Sequence, residues 1–135
     1  MHSYVITRKE LVALSEFRHQ LARFQRFSVA ASREAGLTQT QYLLLLHIAG
    51  QTSRDWAPVG SLAKRLQASP HATTALIKRS VARGLVRKQQ STDDARRVEV
   101  RLTARGAALV RRVATRHRRE LATLRHILRI THVTD

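Results

Sequence analysis

At 135 residues and 43% hydrophobic content, the chain is long enough to build one cored domain and too apolar to be disordered. It has no cysteine, which excludes disulfides, thiolate metal sites and cysteine-based oxidant sensing. Its formal net charge of +16 points to a polyanionic partner, most often nucleic acid.

No apolar run approaches the roughly 20 residues of a membrane span. Neither MHSYVITRKE nor QYLLLLHIA has the build of a signal peptide. A cytoplasmic protein without membrane association is expected.

Thr7 to Ala35 reads as one long helix. Leu11, Leu14, Phe17, Leu21, Phe24, Phe27 and Ala31 recur every three or four residues and form a single stripe. A helix of this length exceeds what a small domain covers by itself, so part of the stripe is expected on a partner subunit. Gly36 ends it. The next helix starts at Leu37-Thr38, where Thr38 and Gln41 form a capping-box pattern. Its run Tyr42 to Ala49 is almost wholly apolar and should be buried. His47 within that run reads as a hydrogen-bonded core residue before a ligand.

Gly50 to Gly60 is a loop holding the only tryptophan, Trp56, expected to pack on a sheet. Ser61 to Gln67 places Leu62, Ala63 and Leu66 on one helical face. Ala68-Ser69 breaks that pattern. Ser69 suits an N-cap, accepting from a free backbone N–H, and Pro70 suits the first helical position. This helix should run to Gly84, a left-handed stop. On it Ala72, Thr73, Leu76, Ile77 and Ser80 face inward, and His71, Thr74, Ala75 and Lys78 face broadly outward.

Leu85 to Gln90 reads as a strand. STDDARR is polar and turn-rich. Val98 to Thr103 alternates, with Val98, Val100 and Leu102 one way and Glu99, Arg101 and Thr103 the other. Helix, tight turn, helix and basic hairpin make a winged helix, whose second helix has the shape to enter a major groove. Ala104 to Leu128 reads as a final long helix, its stripe of Leu109, Val113, Leu121, Leu124 and Leu128 interrupted by His117.

Charge follows this layout. Trp56 to Thr92 contains no acid but holds Lys64, Arg65, Lys78, Arg79, Arg83, Arg87 and Lys88. A second acid-free block, Val100 to Arg119, lies mostly outside the winged helix, where a solvated basic surface is the plainer reading.

LTQTQYLLLLHIA, LAKRLQASPHATTALIKR, RGLVRK and DDARRVEVRLTARG together resemble the MarR family of bacterial winged-helix transcription regulators. The last piece fits the family's wing pattern of Asp-x-Arg, an apolar alternation, then Leu-Thr-x-x-Gly. The likeness spans about Leu11 to Leu124. Ser80 and Val81 depart from the usual Leu-Glu, and Ala75 stands where many relatives carry Arg. The resemblance implies a mostly α (α+β) fold: a single domain, 1–135, with a winged helix-turn-helix DNA-binding part at 37–103. Long terminal helices, 5–35 and 104–130, would form a dimerisation region. It also implies a short third strand at Ala57 to Val59. Because ITHVTD closes the chain where relatives add a helix, the dimer contact should be smaller or differently built.

On this frame Ser69, Pro70, His71, Thr74, Lys78 and Arg79 are the candidates for DNA contact on the second helix. Arg96, by resemblance, should enter a minor groove, where narrow A·T stretches attract arginine. Arg97 is a further phosphate candidate. Asp94 should order an arginine, Arg96 or Arg79, unless it is a plain turn aspartate. Arg18, His19, Arg23, Tyr42 and His47 are the candidates for a small anionic, often phenolic, effector.

No GxSxG, P-loop, GxGxxG or HExxH is present, and the histidines have no tight metal spacing, so no enzyme, cofactor or metal is expected. The function expected is a homodimeric, double-stranded-DNA-binding regulator, a repressor by family habit. The rivals are a basic architectural or RNA-binding protein without gene-specific control, and a winged helix used for protein interaction.

Overall fold

A computed structural model describes the backbone of residues 5–131 and side chains through 126. Its elements are α1 (Arg8–Glu34), α2 (Gln39–Ala49), β1 (Trp56–Pro58), α3 (Val59–Leu66), α4 (Pro70–Ala82), β2 (Val86–Gln90), β3 (Val98–Leu102), α5 (Ala104–Arg116) and α6 (Arg118–Thr131). The fold is the mostly helical winged helix that the sequence implies. Leu128 and the ITHVTD end lie beyond the described side chains.

Local chemistry sets most boundaries. Thr7 and Glu10 exchange side-chain and backbone bonds in a capping box that opens α1, and Thr38 and Gln41 do the same for α2. Both α1 and α4 end in the same way. Gly36 (φ 77°) and Gly84 (φ 71°) turn left-handed. Leu37 N–H then reaches back to Ser32 O, and Leu85 N–H to Ser80 O, each at 2.9 Å. Leu37 and Leu85, thrown inward by these turns, are buried.

Helix α2 is the central element. Tyr42, Leu44, Leu45 and Ile48 are buried against Leu62 of α3, Ile77 of α4, Val100 of β3, and Val110 and Val113 of α5. That explains its nearly unbroken apolar run: it is covered from several sides, so no polar face is required. The sheet is antiparallel in the order β1-β3-β2, with Ala57 opposite Val100 and Val86 opposite Leu102.

The Leu-Thr-x-x-Gly piece has a steric reason. Thr103 caps α5, accepting from Gly106 N–H, and donates its hydroxyl to Gly84 O at 2.6 Å. Thr103 N–H also bonds Leu85 O at 3.1 Å. This draws the first turn of α5 onto the Leu85 backbone, where a Cβ on residue 106 would overlap the carbonyl oxygen.

Several expectations need correction. Helix α3 begins at Val59, two residues early, because Pro58 sits just before it with a fitting φ and closes β1, which runs Trp56–Pro58 and not Ala57 to Val59. Leu85 belongs to the turn after α4, not to the strand, and Thr103 is a cap, not a strand residue. The last helix is two helices, broken at His117. That imidazole is buried, stacked on Tyr42 at 5.3 Å and met edge-on by Phe24 and Phe27. Its Nδ1 bonds Val113 O at 2.8 Å, while its Nε2 is buried without a partner. On α1, Phe17, Leu21, Phe24 and Phe27 are partly covered and Ala31 is buried. Leu11 and Leu14 stay half exposed, at 53% and 51%, so the front of the stripe has no cover within the protomer.

Candidate nucleic-acid interface

Helix α4 starts as its sequence dictates. Ser69 Oγ accepts Ala72 N–H at 3.0 Å, and Pro70 fills the first position. The turn from α3 is made by Gln67, left-handed at φ 54°, the sole non-glycine with positive φ among the described residues. Thr73, Leu76, Ile77 and Ser80 are buried. The buried Ser80 is satisfied by donating to Leu76 O at 2.8 Å.

Ser69, Pro70, His71, Thr74, Lys78 and Arg79 are all exposed, while Ala75 is half-buried. Ala72 is exposed, contrary to its expected inward place, because it lies about 100° round the helix from Thr73, off the buried face. Thr74 donates its hydroxyl hydrogen to Pro70 O at 2.9 Å, so it offers a partner only lone pairs and a methyl.

The hairpin tip is organised by a residue that the sequence reading missed. Ser91 is buried, and its Oγ accepts from Asp93 N–H and Asp94 N–H at 3.2 Å and from Arg97 Nη2 at 2.9 Å. The signal was present in STDDARR: a serine or aspartate before two acidic residues is an acceptor for turn amides. Asp94 Oδ1 accepts the Arg96 backbone N–H at 2.9 Å. Its carboxylate bonds main chain, not the guanidinium of Arg96 or Arg79, so the plain turn reading describes it.

Arg96 and Arg97 diverge. Arg96 is exposed, and its side chain has no hydrogen-bond or ion-pair partner among the described residues. Arg97 folds back on the sheet, bonded to Ser91, 3.8 Å from Glu99 Oε2 and 4.9 Å from the Trp56 ring centroid. Arg54 also lies over this ring, at 4.1 Å, so Trp56 makes cation–π contacts with two guanidinium groups. Glu99 is buried, bonded to Arg101 at 2.9 Å, and Arg101 also bonds Asp55 at 2.6 Å. Asp94, Glu99 and Asp55 are thus tied to a turn amide or to arginines, whereas the exposed Asp93 carboxylate has no partner among the described residues; Arg96, Lys78, Arg79, Lys64 and Arg65 are outward positive charge.

The effector candidates are dispersed. Arg18, His19 and Arg23 are exposed on α1 and Tyr42 is buried under His117. His47 is partly buried, and burial, then the nearby Arg65, push its pKa below the usual imidazole range. None of the five lines the cleft of about 590 Å³ that opens between the end of α2, the 51–55 loop, the sheet base and α5. Leu46, Leu102 and Val110 make its apolar wall; Arg54, Arg87, Arg101 and Arg111 line it as cations, with Asp55 among them bonded to Arg101.

Residues 35–97 match the model of the MarR family. No curated protein matches the chain. Among solved structures, AbsC of Streptomyces coelicolor, a MarR family transcriptional regulator, superposes with a TM-score of 0.72 at 22% identity, over 93% of this chain and 82% of its own. MepR of S. aureus, bound to an oligodeoxyribonucleotide, gives 0.67 at 18% identity, over 97% and 87%. MOSR of M. tuberculosis, in complex with DNA, gives 0.60 at 25% identity, over 82% and 78%.

Proposed function

We propose, from the match of residues 35–97 to the model of the MarR family, that the protein binds double-stranded DNA and regulates transcription. The observation that carries this is the exposed cationic face. His71, Lys78 and Arg79 of α4 and Arg96 of the wing all point outward, while Asp94, Glu99 and Asp55 are bonded away. MepR and MOSR, similar in fold, are DNA-bound in their structures. Lys78 and Arg79 suit phosphates, which fix register, and His71 and Arg96 suit base edges or a groove. With few long side chains on α4, much of the specificity is read through groove shape.

We further propose a homodimer built on α1 and α5–α6. The exposed Leu11, Val12 and Leu14 at the start of α1 and the exposed Leu121 of α6 support it, since large apolar side chains left uncovered on these helices suit an interface. Two heads then meet half-sites about one helical turn apart, roughly 34 Å. Repression, released by a small phenolic anion, completes the reading. The arginine-walled cleft beside α5 suits such an anion better than the dispersed Arg18, His19, Arg23, Tyr42 and His47. A ligand acts there only through its differential affinity for two head spacings.

Footprinting on the DNA beside the protein's own gene, with and without a hydroxybenzoate, tests this. A symmetric protected site is expected, weakened by the anion. Uniform protection of any duplex favours the architectural rival instead.

A further inference from the structure

We propose that Arg83 is a positioning residue: it clamps the C-terminal end of α4 and so fixes which half-site spacing the protein accepts. This rests on the two-headed DNA-binding reading above and assigns its register to one side chain.

Arg83 is the C-cap of α4. Unlike Lys78 and Arg79, it turns away from the exposed face. Its Nη2 donates to Gly36 O at 2.7 Å and its Nη1 to Gln41 Oε1 at 2.6 Å. Both acceptors are fixed points. Gly36 O lies in the left-handed turn that closes α1, and the buried Gln41 Oε1 also accepts Thr38 N–H in the capping box of α2. A planar guanidinium held by two such acceptors is fixed in direction as well as distance. On the other side, Arg83 O accepts from Arg105 Nη1 in the first turn of α5 at 3.1 Å. The end of α4 is therefore bonded both to the α1–α2 turn and to the start of α5. Its other end, Ser69 to His71, is exposed and held by its own cap.

The lever arm gives the scale. Thirteen residues make a helix about 20 Å long. A tilt of about 10° at the clamped end moves the tip by about 3 Å, close to the 3.4 Å rise of one base step. Losing the clamp therefore blurs register by about a base pair without removing any DNA contact.

The test uses the full chain and a duplex that the wild-type protein selects from a random-sequence pool, with zero, one or two base pairs inserted between its half-sites. The wild type should lose at least about thirtyfold in affinity on the longer spacing, and Arg83→Ala less than about fivefold, with an unchanged salt slope. Arg83→Lys keeps the charge but loses the two-pronged grip, so its penalty should fall between them. Gln41→Glu preserves the capping box and charges the acceptor. It should raise Tm in the wild type and give no such gain beside Arg83→Ala. A folded Arg83 variant that keeps the full wild-type spacing penalty, or weakens all spacings equally, overturns the proposal while leaving DNA binding intact. Absence of salt-sensitive duplex binding by the wild type overturns both readings.

Discussion

The guanidinium of Arg97 lies 4.9 Å from the centroid of the Trp56 ring, while Arg96, one residue earlier, is exposed and unpaired among the described side chains. Neighbours of one type thus have different work. Arg96→Ala should weaken binding to the cognate duplex by about 1–3 kcal/mol and leave Tm unchanged. Arg97→Ala should lower Tm first, because it opens the Ser91 hub and the Trp56 stack. Paired thermal melts and anisotropy titrations check this, and the reverse pattern would exchange their roles.

Lys78→Ala should weaken binding to every duplex alike and reduce the slope of log affinity against log salt by about 0.9. Titrations over a salt series on two unrelated duplexes read both quantities. Loss confined to one sequence would make Lys78 a base contact.

Gly106→Ala tests the close approach of α5 to Leu85. The added methyl meets a backbone carbonyl, not a flexible side chain. A stability loss of about 1–3 kcal/mol is expected in urea titration, in the range of overpacked cores. An unchanged midpoint would mean that α5 moves away freely.

His47 gives a pH signature. Burial, then Arg65, lower its pKa in the folded chain. The unfolded chain therefore binds a proton more readily, and stability rises with pH through that window. The contribution is fully present above the ordinary imidazole pKa of about 6.5 and is lost as pH falls below it toward the lower folded value. His47→Gln should flatten this acid-side fall in chemical denaturation, and an identical profile for the variant would remove His47 as its source.

What the sequence made legible was local chemistry. The Thr38–Gln41 box, the Ser69-Pro70 start of α4 and the Gly84 stop each depend on a few adjacent residues, and each is where it was expected. What stayed hidden depends on distant partners. Alternation in β3 says that Glu99 faces away from Val100, but not that Pro58 of β1 pairs beside it and Arg101 bonds it, leaving a buried carboxylate. The stripe from Leu109 to Leu124 does not show that His117 turns into a ring of aromatic side chains from α1 and α2, with the helix broken there. The candidate interface is similar. Exposure of His71, Thr74 and Lys78 follows from helical spacing, whereas the divergence of Arg96 and Arg97 follows from Ser91 and Trp56, six and 41 positions from Arg97, an offset that periodicity does not reveal.

The central claim is that this exposed cationic face reads a duplex and does not merely adhere to polyanions. Competition binding measures that most directly: promoter-region DNA against a random duplex of equal length, over a range of salt. The account predicts affinity falling linearly with log salt and, at physiological salt, a preference for the promoter duplex of about a thousandfold or more. Equal affinity for both duplexes at every salt concentration would contradict it.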